Sequence, residues 1–95
     1  MANSLVEAHR EEILAIAARR GASNVRLFGS IARGQDGPES DVDLLVSFES
    51  GRSLLDLIGL KHEIEDLVHR PVDVVTDGAL SPYIRDRVLA EAVPL

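Results

Sequence analysis

The 95-residue chain has no cysteine. That absence removes disulfides, thiolate nucleophiles and cysteine-ligated zinc together, and it suits a reducing compartment. Long hydrophobic runs are missing as well: the longest, ILAIAA at 13–18, holds six residues, whereas a membrane-spanning helix needs roughly 18. The opening MANSLVEAHREE lacks the charged-then-apolar order of a secretory signal. A cytoplasmic location with no membrane partner is therefore expected. Clustered positive charge is also scarce, since the formal net charge is −6, with +2 over residues 1–35 and −8 over the remainder. Nonspecific nucleic-acid binding relies on Lys and Arg gathered on one face, so no direct nucleic-acid binding is expected. An acidic chain can still hold a polyphosphate when metal ions sit between the charges. Linkers, repeats and low-complexity segments are lacking too, and the length leaves room for a single domain over 1–95 with no separate substrate lobe.

The elements follow from periodicity and punctuation. Leu5, Ile13, Ile16 and Ala17 fall at helical spacing between Asn3 or Ser4 and Arg20, with acids early, arginines late and Gly21 as the stop. NVRLF reads as a strand that Gly29 breaks, and a short helix is expected after it. DVDLLVSF alternates, which puts Val42, Leu44, Val46 and Phe48 on one face and Asp41, Asp43, Leu45 and Ser47 on the other. Ser53 with Asp56 forms a capping-box pattern ahead of an apolar stripe, Leu57, Leu60, Ile64, Leu67 and Val68, that ends near His69. VDVVT after Pro71 reads as a buried strand, and Ser81-Pro82 as the N-cap and first residue of a last helix with Ile84, Val88 and Leu89 inward. The order predicts an α/β (α+β) fold, a small mixed sheet flanked by helices.

Two features serve no core. The first is the turn Gly29-Ser30-Ile31-Ala32-Arg33-Gly34. Its glycine spacing is that of a P-loop, but Gln35 and Asp36 stand where Lys and Ser or Thr belong. A nucleophile elbow fails too, because His9, His62 and His69 lie in helical stretches away from any serine-base pattern. What remains is a strand running into a glycine, then Ser30 at a helix N-terminus, an arrangement that offers N–H groups and a hydroxyl to an anion. Taken alone, it reads more readily as an ordinary N-cap turn, since Ser is common at that position.

The second feature is Asp41 and Asp43. Residues i and i+2 of a strand share a face about 6.5 to 7 Å apart, so both carboxylates can meet one metal ion, or bracket a pair. Hard oxygen donors without cysteine select Mg²⁺ or Mn²⁺ over zinc. Alternatively, the pair sits at a frayed, solvated strand start. Asp73, near the start of the next strand, adds a third carboxylate that structure does not require.

Gly29-Ser30, ten intervening residues and Asp41-Val42-Asp43, together with LFGSIARGQDGPESDVDLLV and PVDVVT, resemble the DNA polymerase beta nucleotidyltransferase superfamily, in its minimal nucleotidyltransferase (MNT) branch. The resemblance implies a mixed sheet and Mg²⁺- or Mn²⁺-dependent transfer of AMP from ATP, an NTP substrate, with release of pyrophosphate. It implies that Gly29 and Ser30 hold the β and γ phosphates, that Asp41, Asp43 and Asp73 are catalytic metal ligands, and that Asp73 helps orient or deprotonate the attacking hydroxyl. Arg33 is a candidate nucleotide-binding residue, as a fork of donors, or else a helix-side arginine. The MNT branch is also similar to antitoxins of two-gene modules whose toxin is a HEPN-domain ribonuclease. Adenylylation of a toxin tyrosine within a hetero-oligomer is thus implied. A contact-only antitoxin and an antibiotic-type nucleotidyltransferase stay open beside it. Arg85 and Arg87 read as surface charges, the histidines as bystanders, Tyr83 as a packing residue and Lys61 as a snorkelling one.

Overall fold

The computed structural model describes residues 6–29 and 41–95. Helical residues 6–8 precede α1 (Arg10–Arg19), with His9 between them. β1 (Ala22–Phe28), β2 (Val42–Phe48), α2 (Leu54–Val68) and β3 (Val72–Thr76) follow, then a 3₁₀ turn (Asp77–Ala79), α3 (Pro82–Glu91) and β4 (Val93–Pro94). The short helix expected after Gly29, with Leu5 at the N-terminus, lies outside the described residues.

Four strands form one mixed sheet in the order β3-β2-β1-β4. β1 is antiparallel to both neighbours, whereas β2 and β3 are parallel. Alternation builds the core as the sequence expects: Val42, Leu44 and Val46 are fully buried, together with Leu27 and Val25 of β1. α1 and α2 close that face with Ile13 and Ala17, and with Leu60, Ile64 and Val68. α2 begins where the capping pattern places it, with Asp56 Oδ2 accepting the Ser53 N–H at 3.1 Å. Arg20 Nε donates to Glu63 Oε2 at 2.8 Å and clamps α1 to α2.

Four expectations change. VDVVT is an edge strand, not a buried one: β3 has β2 on one side only, and just Val72 of it is buried. α3 forms over Ser81-Pro82, with the Tyr83 N–H donating to Ser81 Oγ at 3.3 Å, yet none of its residues is buried and Ile84 is 47% exposed. Tyr83 is 96% exposed and is not a packing residue among the described residues. β4 is an additional strand; it has two residues, one of them proline, too few to show a period. It runs parallel to β3 from the other edge, so α3 returns the chain across the width of the sheet. Pro94 is tolerated because an edge strand has one side without a ladder.

Candidate active site

The face of the sheet away from α1 and α2 carries the remaining side chains of the alternating strands. Register fixes their rows. Leu45 lies between Arg26 and Val75, and one step toward the start of β2, Asp43 lies between Phe28 and Asp73. In-register residues on neighbouring strands stand about 4.8 Å apart and share a face, so Asp43 and Asp73 are side by side. Asp43 is half-buried, Asp73 exposed, and Asp41 exposed just ahead of β2. Two like charges in adjacent positions repel, which a sheet selected only for stability avoids.

Gly29 ends β1 against this pair. Its φ is +78°, a conformation that L side chains rarely adopt. A Cβ placed there would collide with Asp43 Oδ2 and lie 3.1 Å from its Cγ. The turn and the D-x-D pair, twelve residues apart in sequence from Gly29 to Asp41, thus meet in space, and a side-chain-free backbone is what allows it. Ser30 and Arg33 lie outside the described residues.

The donors around Asp43 are carboxylate oxygens, which suit a hard divalent cation. Among the described residues no three acidic or histidine side chains converge into a group that could hold a metal. The backbone register brings Asp43 and Asp73 together, with Asp41 two residues along the same strand; their carboxylates do not meet at one point in this arrangement.

Three residues of this region carried no sequence signal. Arg26, with a side chain only 13% exposed, donates through Nε to the Asn24 carbonyl at 3.0 Å and reaches Asp77 at 3.8 Å. Asp77 Oδ2 accepts the Ser47 hydroxyl at 2.7 Å, so the chain leaves β3 on the aspartate-bearing face. Glu65 Oε2 accepts the Val72 N–H at 3.0 Å, at the entry to β3. Only the tertiary path of the chain brings these partners together.

The family model for the nucleotidyltransferase domain matches residues 10–95. The chain belongs to this family. It is a nucleotidyltransferase, and the mixed sheet with its flanking helices is the nucleotidyltransferase core. A protein of Methanocaldococcus jannaschii provisionally named protein adenylyltransferase MJ0435 is 42% identical over 88% of this chain and 90% of its own. Protein adenylyltransferase MntA of Thermococcus cleftensis is 39% identical over 95% of this chain and 88% of its own. A solved structure described provisionally as a minimal nucleotidyltransferase superposes with a TM-score of 0.90 at 48% identity, over the whole of this chain and 97% of that one. A toxin–antitoxin complex with AMP-PNP shares the fold, with a TM-score of 0.76 at 19% identity over 88% of this nucleotidyltransferase and 69% of that chain.

Proposed function

We propose that this nucleotidyltransferase transfers AMP from ATP to a tyrosine hydroxyl of a HEPN-domain ribonuclease toxin, and so acts as the antitoxin of a cytoplasmic hetero-oligomer. The observation that carries the reading is the row Asp43–Asp73 with Gly29 pressed against it. The names of the relatives at 42% and 39% identity support a protein as the acceptor. In this reading residues 1–95 act as one domain, and the partner protein brings the docking surface that so short a chain lacks.

The hydroxyl oxygen attacks the α-phosphorus. An O–P bond forms, the bond from the α-phosphorus to the oxygen bridging it to the β-phosphorus breaks, and pyrophosphate leaves with the electron pair. Asp73, exposed and adjacent to Asp43, takes the hydroxyl proton. Asp41, Asp43 and Asp73 would hold Mg²⁺ or Mn²⁺, which when bound neutralises charge on the triphosphate and the departing pyrophosphate. The N–H groups after Gly29, the Ser30 hydroxyl and the Arg33 guanidinium receive the β and γ phosphates.

The test is label transfer from α-phosphate-labelled ATP to a HEPN-domain toxin supplied as the acceptor, with Mg²⁺ present. The wild type is expected to label the toxin and raise its mass by AMP units. Neutralisation of the toxin without labelling, across several NTPs and metals, overturns the enzyme reading and leaves a contact-only antitoxin.

A further inference from the structure

β3 carries Asp73 but is an edge strand. Such a strand is laddered on one side only among the described residues and is less constrained than an inner strand. Its first peptide, joining Pro71 to Val72, is nevertheless bound at both ends. The Pro71 carbonyl accepts the N–H of Val42, the residue between Asp41 and Asp43, at 2.9 Å. The Val72 N–H, on the other side of the same peptide plane, donates to Glu65 Oε2 at 3.0 Å. Glu65 serves the connection twice, since its own carbonyl accepts the His69 N–H at 2.8 Å as α2 ends. Only His69, Arg70 and Pro71 separate α2 from β3. One residue of the core-side helix therefore closes this turn at its start through the backbone and at its end through the side chain.

We propose that Glu65 is a positioning residue for nucleotidyl transfer: its carboxylate fixes the Pro71–Val72 peptide and so keeps Asp73 in register beside Asp43. The inference rests on the adenylyltransferase reading. A peptide plane is rigid, so pinning its N–H aims its carbonyl at Val42, and the register Val42 to Val72 sets Asp43 to Asp73 one residue later. Without the carboxylate, the Val72 N–H turns to water and the strand start is held from one side only.

The experiment compares Glu65→Ala, Glu65→Gln and a control, Leu14→Ala, which trims a side chain packed against the core far from this connection. Each is assayed below its melting transition for transfer from labelled ATP to the toxin, and for backbone amide exchange at Asp73. Glu65→Ala is expected to lower kcat about tenfold with KM for ATP little changed, the loss matching one hydrogen bond to a charged acceptor. Glu65→Gln keeps a neutral acceptor and is expected to recover most of that rate. Leu14→Ala melts earlier but keeps the wild-type kcat. Exchange at Asp73 accelerates in Glu65→Ala and not in the control. A Glu65→Ala protein that transfers as fast as Leu14→Ala, or that keeps Asp73 protected, overturns the positioning role. A silent wild type instead overturns the adenylyltransferase reading itself.

Discussion

Asp43 and Asp73 occupy directly paired positions of the parallel strands β2 and β3, so two like charges stand side by side on the face of the sheet away from α1 and α2. Their juxtaposition costs stability, and in the proposed function it serves the site. Asp73→Asn should therefore fold as well as the wild type, with stability unchanged or raised by up to about 1 kcal/mol. Transfer should fall by about 10² to 10⁴, the usual contribution of a positioned acid–base group. Mg²⁺ with ATP should raise the melting temperature of the wild type but not of this variant. A variant that labels the toxin at the wild-type rate removes Asp73 from the chemistry.

Gly29 and Gly51 make a controlled pair. Both have positive φ, but a Cβ at Gly29 meets Asp43 while one at Gly51 meets nothing within 4 Å. Gly51→Ala should cost about 1 kcal/mol of backbone strain and leave transfer intact. Gly29→Ala should cost about 1 to 3 kcal/mol and also displace the Asp43 carboxylate, abolishing transfer. Equal losses of activity in the two would place the effect in the backbone rather than at the contact.

His69 caps α2 in the left-handed region, with φ of 56°. Glycine there avoids the clash of Cβ with the following carbonyl. His69→Gly should stabilise the fold by about 1 kcal/mol, raising the melting temperature by about 4 to 8 °C for a domain of this size. No change in Tm would mean that the imidazole makes a compensating contact.

Glu63 supplies a pH dependence. The hydrogen bond from Arg20 holds its carboxyl below the ordinary value of 4.5; burial opposes this, and the charges of Arg20 and Arg19 with a hydrogen bond from Arg19 add to the lowering. A carboxyl depressed in the folded state contributes stability above its unfolded pKa and loses it as pH falls through the folded one. The pair is part-exposed, so solvent screening keeps the contribution below about 1 kcal/mol. Glu63→Gln should lower Tm slightly at pH 7 and flatten the decline below pH 5 in thermal melts. A decline as steep as that of the wild type would assign the acid sensitivity to other carboxylates.

α2 was legible because Ser53, Asp56 and an apolar stripe all state the same helix, and β2 because Val42, Leu44 and Val46 alternate with Asp43 and Ser47, although Leu45 on the aspartate face is buried as fully as they are. Gly29, Asp41, Asp43 and Asp73 stood out because none of them helps a core. Strand order was not legible: VDVVT is as apolar as a central strand, and nothing local tells it that β2 is its only neighbour. The inward face expected for α3 failed for a related reason, since a helix crossing between two sheet edges is placed by its anchors and not by its own stripe. The bond from Val72 to Glu65 was equally hidden, because a tight turn after α2 decides which carboxylate faces the first N–H of β3.

The pairing of β4 with β1 joins late residues of the chain to early ones through Val93, Pro94 and the Leu95 N–H, which donates to the Val25 carbonyl at 3.0 Å, with Leu95 also packed against the core. Contacts so distant in sequence close last in folding, because the loop entropy is lost before they form. α3 adds no buried residue to hold them. Among the described elements this segment is expected to open more readily than the core of α1, α2 and the inner strands. Each such opening bares the outer edge of β1, whose last residue adjoins Gly29, and an exposed strand edge can template pairing with another chain.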